Sequence, residues 1–273
     1  MDIQTTIRYL QPSPKWAHEK PYECLYEPKE GTQRFNYGMD QVDVTIRDIR
    51  GRDEPPTLEK DGFQIVNMTS NLDYGECFSR EKVTSVLIEQ IRPVLASLLG
   101  TEGIYFHEAV IRIQHPNYPN ISPEDINSHG FEQPVISVHV DYTPGQLDVL
   151  VKKLTGVTPS KGKRIACYNV WKPLKGPVRS YPLAFCSART VKDGDLVATD
   201  AVYNDGLLET YLVYANPQHE WWYLSLQEPS ELVVFRCTDT TGPPVPHTAF
   251  LNPKTCDSTE MRESIEFRVI VVY

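Results

Sequence analysis

Beyond residue 103, the apolar residues of this chain fall into short runs rich in β-branched and aromatic side chains, at 104–113, 134–141, 165–171, 183–186, 207–214, 221–226, 232–237 and 265–273. Turn-forming residues separate the runs. Such side chains suit a pleated surface, and many short strands punctuated by turns close into a sandwich or a barrel. Two earlier strands are expected at 42–49, where VDVTIRDI alternates, and at 62–68. Helical periodicity is confined to two places. Val83, Leu87, Ile91, Val94 and Leu98 recur at three- and four-residue steps, predicting a helix over 80–99 with Ser79 as cap and Gly100 as terminator. Pro93 within it lacks a helix-interior amide, so a kink or break is expected near Gln90. A second helix is expected over 144–154, with Thr143 as cap and Pro144 at the first helical position.

The expected fold class is therefore mainly β with flanking helices. No linker, repeat or low-complexity stretch interrupts the 273 residues, so one domain is expected over 1–273. Within it, strands and helices of 1–100 would pack on a β core of 101–273.

A net charge of −9 and a pI near 5.3 argue against a nucleic-acid partner, which needs a basic face. The local basic residues Lys152, Lys153 and 161–164 read as a solvated loop margin. No apolar run approaches the roughly 18 residues of a membrane span, and the start MDIQTTIRYL lacks the pattern of a signal peptide. The six cysteines (24, 77, 167, 186, 237 and 256) are widely spaced, without C-x-x-C, and read as reduced thiols in a cytoplasmic protein. On that reading the Asn67 and Asn120 sequons go unused. There is no G-x-S-x-G elbow for Ser-based hydrolysis, and no Gly-rich phosphate loop or dinucleotide fingerprint.

One constellation carries chemistry. His139 and Asp141 share a face of the expected strand PVISVHVD, because side chains alternate along a strand. Far downstream come His247 and then Arg262. Two imidazoles and a carboxylate hold non-haem Fe(II) on one face of its octahedron and leave the other open. In the final run RESIEFRVIVVY, Arg262, Ser264, Glu266 and Arg268 share one face, and an arginine beside a serine can hold a dicarboxylate by a charge-assisted fork. These residues suggest an Fe(II)- and 2-oxoglutarate-dependent oxygenase. Taken alone the motif is weak. With seven His and 36 acidic residues, a His-x-Asp/Glu pair should arise about once by chance, and a lone strand histidine is more often a hydrogen-bonded core residue. His219, in PQHEWWYL, is the rival third ligand, and its turn-like flank makes it a surface-loop histidine.

The segments NVWKPLKGPV, PLAFCSART, VPHTAFLNP and RESIEFRVIVVY, with VTIRDIRG and Gly62-Phe63 upstream, resemble a microbial oxygenase family. It includes the fungal gibberellin desaturase, an aspirochlorine-type hydroxylase/desaturase, the cephalosporin-methoxylation subunit and meroterpenoid endoperoxide-forming enzymes. The resemblance covers most of the chain, in order. It implies a double-stranded β-helix (jelly roll), with Fe(II) on His139, Asp141 and His247 and 2-oxoglutarate on Arg262 helped by Ser264. Arg268 competes with Arg262 for that second role. No catalytic group beyond the metal ligands is expected. The implied substrate is a lipophilic secondary metabolite, oxidised with O2 by hydroxylation, desaturation or endoperoxide formation. Trp171, Tyr142, Phe106 and His107 are the candidates to line its pocket. Two other classes stay open: a metal isomerase that does not use 2-oxoglutarate, and a non-catalytic partner subunit. Size and surplus aromatic surface suggest a homodimer.

Overall fold

In the computed structural model, two sheets stack face to face, and His139 and His247 come from adjacent strands of the larger one. The structure describes residues 1–121, 125, 129–156, 163–255 and 259–273. Lys161, part of the basic run noted above, and Cys256 lie outside the described residues. The larger sheet contains β1 (Ile3–Leu10), β2 (Tyr22–Cys24), β3 (Met39–Asp48), β6 (His139–Val140), β8 (Leu183–Cys186), β9 (Leu196–Tyr203), β10 (Gly206–Val213), β11 (Trp221–Tyr223) and β13 (His247–Ala249). Their spatial order is β1-β3-β11-β8-β13-β6-β10-β9-β2. The smaller sheet has β4 (Phe63–Asn67), β5 (Ile104–Ile113), β7 (Ile165–Pro173), β12 (Glu231–Asp239) and β14 (Glu263–Val272), in the order β4-β12-β7-β14-β5. Pairing is antiparallel except where β11 meets β3 and β2 meets β9. This is the mainly-β, jelly-roll architecture expected from the sequence.

The central strands β7 and β14 show why the smaller sheet is pinned in place. Every residue of β7 is buried, as are nine positions of β14. On β14, Ile265, Phe267, Val269 and Val271 pack with Leu87, Ile91 and Leu95 of the helix on its outer face. Full burial of each such side chain contributes about 1.5–3 kcal/mol. The alternate residues Ser264, Glu266 and Arg268 therefore face the other sheet. That places polar and charged groups inside the sandwich, where only a site or strong internal pairing makes them tolerable.

The outer helix is α1 (Arg80–Lys82), a π-helical stretch (Val83–Leu87) and α2 (Ile88–Leu99), running without interruption. Ser79 Oγ accepts from Lys82 N at 3.3 Å, and Gly100 closes the helix at φ 67°. The expected irregularity is present but displaced. It is the wide π-type turn over 83–87, one turn before the position that Pro93 suggested. The second helix, α3 (Pro144–Thr155), starts as expected, with Thr143 Oγ accepting from Gln146 N at 3.1 Å. Among the described residues no helix is long and apolar enough to cross a membrane.

Two strand expectations change. The strand expected over 134–141 reduces to His139–Val140, because the residues before it run between β1 and β13. Val138 N donates to Arg8 O, and Ala249 N donates to Val135 O. Strand β9 was not anticipated, and β1, β2 and β13 had been given no bounds. β13 is three residues long and is defined by its neighbours β6 and β8. The N-terminal strands β1 and β3 belong to the larger sheet itself.

Candidate metal centre

His139 and His247 are direct register partners across β6 and β13, and their ring centroids lie 4.3 Å apart. Asp141 follows β6 by one residue. Its Oδ1 lies 3.8 Å from His139 Nε2, and its Oδ2 lies 3.7 Å from His247 Nε2. One ligand atom from each of the three fits within 4.8 Å of the others. The other ring nitrogens are already used. His139 Nδ1 faces Ser137 O at 2.9 Å, and His247 Nδ1 faces Val245 O at 3.3 Å. A carbonyl can only accept, so Nδ1 carries the hydrogen in both rings and each Nε2 presents a lone pair inward.

Electrostatics keep the set ready for a cation. Burial, and then the neighbouring His247 ring, push the His139 imidazolium down to about 4. Burial lowers His247 as well. Burial opposes the Asp141 charge, but the Arg268 guanidinium and both imidazoles outweigh it, holding that carboxyl well below the usual range. The ligands are thus two neutral imidazoles and one carboxylate. His139 keeps 15% side-chain exposure, whereas Asp141 and His247 keep 6% and 3%, so the cluster opens on the His139 side.

A cross-sheet clamp sets the carboxylate. Asn169 and Arg268, register partners on β7 and β14, reach across the sandwich. Asn169 Nδ2 donates to Asp141 Oδ2 at 2.5 Å, and Arg268 Nη2 donates to Oδ1 at 2.8 Å. Arg268 Nη1 also donates to Glu108 Oε2 at 2.6 Å and to the Tyr142 hydroxyl at 3.3 Å. Arg268 was a candidate anchor for the dicarboxylate. It is committed instead to Asp141 and Glu108, because it lies opposite the carboxylate ligand.

Arg262 has the opposite character. It is 3% exposed, and among the described residues its guanidinium has one hydrogen bond, from Nη1 to the Tyr181 carbonyl at 2.8 Å. Its Nε and the nearby Ser264 Oγ have no partner among the described residues. Among the described residues no carboxylate pairs with it, and burial followed by the Arg112 charge pushes it down to about 9. A guanidinium buried beside an unsatisfied hydroxyl is costly unless an anion completes the site. This is the donor set a dicarboxylate co-substrate needs.

The pocket candidates separate. Trp171 is buried, with its ring centroid 5.6 Å from the Arg262 guanidinium. Tyr142 is buried and donates to Glu108 Oε2 at 3.2 Å. His107 is half-buried at a bulge in β5, where the register with β14 slips between Arg268 and Val269. That slip turns Phe106 outward. Its ring packs edge-on against Phe267 at 5.8 Å in the core under the helix, so Phe106 is withdrawn as a pocket residue. His219 is not a surface-loop histidine. It is buried, with Nε2 3.2 Å from Asp195 Oδ2 and Nδ1 3.0 Å from the Tyr9 hydroxyl, apart from the three-ligand cluster. Asn169, Arg112 and Glu108 were missed. Asn169 alone left a trace in the sequence, as an amide inside the otherwise apolar run IACYNVW.

Comparison with known proteins agrees with this geometry. The family profile described as "Oxidoreductase/YMDC permease-like domain" matches residues 7–272. The hydroxylase/desaturase efuI of Hormonema carpetanum is 28% identical over 99% of this chain and 95% of its own length. The alpha-ketoglutarate-dependent dioxygenase tstK of Talaromyces stipitatus is 29% identical over 84% of each chain. The Fe(II)/2-oxoglutarate-dependent dioxygenase nvfI of Aspergillus novofumigatus is 27% identical over 98% and 96%. A solved structure of the iron and alpha-ketoglutarate-dependent endoperoxidase NvfI superposes with a TM-score of 0.84 at 23% identity, covering 99% of this chain and 97% of that one, a likeness of fold. The chain belongs to this oxidoreductase family and is one of its Fe(II)- and 2-oxoglutarate-dependent oxygenases.

Proposed function

We propose that this enzyme oxidises a lipophilic secondary metabolite, using 2-oxoglutarate and O2 and releasing succinate and CO2. In this reading His139, Asp141 and His247 hold Fe(II), and Arg262 with Ser264 holds the far carboxylate of 2-oxoglutarate. The observation that carries it is a buried guanidinium that, among the described residues, has no carboxylate partner, beside a Ser264 hydroxyl with none either, in the same interior as the His139, Asp141 and His247 cluster. A partner subunit without catalysis would have no use for that unpaired cation, and a metal isomerase would have no dicarboxylate to place there.

When bound, the metal supplies the O2 chemistry, while the protein supplies position, charge and exclusion of water. Ser137 and Val245 carbonyls fix both imidazole tautomers. Asn169 and Arg268 hold both oxygens of Asp141, limiting its swing between one and two contacts with a cation. Arg262 draws the dicarboxylate to full depth, and Trp171 covers that guanidinium and keeps water from it. Tyr142 and His107 stand near the open side and are proposed to meet substrate. Hydroxylation is the expected outcome, with desaturation and endoperoxide formation as the variants seen in the names of relatives.

The test is turnover with Fe(II), 2-oxoglutarate and isotopic O2 on a cognate substrate. Succinate should form in step with product, and one labelled oxygen in that product marks hydroxylation. Product formed without succinate would overturn the assignment in favour of the isomerase. Among the described residues, five buried free cysteines support a reducing, cytoplasmic setting. The aromatic contact chain Tyr74, Phe78 and Phe131, exposed at its members' edges, supports a homodimer, which light scattering would check.

A further inference from the structure

Three guanidiniums belong to the interior side of the smaller sheet, and two of them have an assigned role. Arg268 is paired with Asp141 and Glu108. Arg262, the deepest, is reserved for the co-substrate. Arg112 is the third. It is the register partner of Ser264, so its side chain leaves β5 on the same interior face as Ser264, Glu266 and Arg268. Its side chain keeps 13% exposure, placing it nearer the opening than Arg262.

The partners of Arg112 do not neutralise it. Nη1 donates to the Gln133 carbonyl at 2.9 Å. The Glu132 carboxylate faces it from 3.7 Å, beyond hydrogen-bond reach, on a side chain 71% exposed and screened by water. The buried Glu266 carboxyl lies 3.8 Å from Arg268 rather than in an ion pair with Arg112, and burial pushes it toward its neutral form. The Arg112 charge is felt by the His139 and His247 imidazoles, by Arg262, by Tyr203 at the end of β9 and by the buried Glu266 carboxyl. With Fe(II) and the dianionic co-substrate bound, those two charges cancel. Arg112 is then a partly exposed cation that no carboxylate of the described residues meets within hydrogen-bond reach.

We propose that Arg112 selects the substrate by binding an anionic group on it, a carboxylate in the simplest case, so that the enzyme oxidises lipophilic acids. The proposal rests on the oxygenase reading. It assigns the two free guanidiniums by depth: Arg262 takes the co-substrate, and Arg112 takes the acid end of the molecule to be oxidised. A planar fork that can bond both carboxylate oxygens also fixes which part of the substrate reaches the cluster.

The probes are a tricyclic diterpenoid acid, a C18 fatty acid and the methyl ester of each, added anaerobically to enzyme holding Fe(II) and 2-oxoglutarate. The reporter is the weak visible band of the chelate. At least one acid should perturb the band in the wild type, and its ester should require about 30-fold or more higher concentration, the loss expected for a charge-assisted pair. Arg112→Gln should erase the difference between acid and ester, and Arg112→Lys should keep part of it. In both variants the 2-oxoglutarate requirement should rise far less than in Arg262→Gln, since the lost charge is not the co-substrate's anchor. Equal binding of acid and ester, or no response to any acid, would overturn the proposal. So would a steep rise in the 2-oxoglutarate requirement of Arg112→Gln, which would move Arg112 to the co-substrate. Failure of the wild type to form the chelate at all would instead count against the oxygenase reading.

Discussion

The division of labour between Arg262 and Arg268 is decided by what each one touches. Both leave β14 on the same face, but Arg268 meets a carboxylate ligand whereas Arg262 meets a backbone carbonyl. Removing the clamp on Asp141 should therefore act on the metal. Arg268→Gln or Asn169→Ala is expected to weaken Fe(II) binding about 10- to 100-fold, as loss of an outer partner of a metal ligand does. The 2-oxoglutarate concentration needed once the metal is saturated should change little. A fluorescence titration with Fe(II) or Co(II) checks this, and unchanged metal affinity in both variants would remove the clamp from the account. The pairs His139 with Asp141, and Arg262 with Ser264, were legible in the sequence because period-two alternation puts them on shared faces, whereas His247 came from the family resemblance. Asn169 and Arg112 were not, because their importance depends on cross-strand register with Arg268 and Ser264. No local pattern encodes that register.

Among the elements, the short ones matter most. β13 holds His247 in place over only three residues, and the loop before it must hold Val245, whose carbonyl fixes the imidazole. Gly62 supports that loop. It has φ +81°, and a Cβ there would lie 2.6 Å from Val245 Cγ2 and 2.9 Å from Ala188 Cβ. Gly62→Ala should therefore cost about 1–3 kcal/mol from backbone strain and overpacking. It should also weaken metal binding by disturbing His247. Urea denaturation read beside a metal titration measures both, and a variant as stable as wild type would contradict this packing. The long helix over 80–99 was legible in outline from its apolar spacing, down to both caps. Its π-type turn was not, since the position of the extra residue answers to packing against β14 rather than to Pro93. Likewise β6 shrank because β1 and β13 compete for the residues ahead of His139.

For the whole molecule, the buried site trades stability against readiness for a cation. In the metal-free protein His139 is lowered from an ordinary 6.5 to about 4, by burial first and His247 next. The unfolded chain then takes up a proton at a higher pH than the folded one. The stability tied to neutral His139 is thus fully present above about 6.5 and drains as the pH falls toward about 4. His247 is shifted in the same direction. The urea midpoint of the metal-free protein should be lower at about pH 5 than at about pH 7, and His139→Asn should narrow that gap. An equal gap in both proteins would mean that the imidazole is not held neutral by the fold. A sandwich or barrel was readable from the many short β-branched runs and the jelly roll from the family resemblance, while the order of strands was not. That order depends on β1 and β3 joining the larger sheet from far upstream.

The measurement closest to the central claim is an anaerobic titration of wild type and Arg262→Gln, first with Fe(II) and then with 2-oxoglutarate, following the visible band of the chelate. The account predicts one Fe(II) bound per chain in both proteins with similar affinity. It also predicts that the variant needs at least about 30-fold more 2-oxoglutarate to develop the band. Identical 2-oxoglutarate curves for the two proteins, or no band in the wild type with Fe(II) bound, would contradict it.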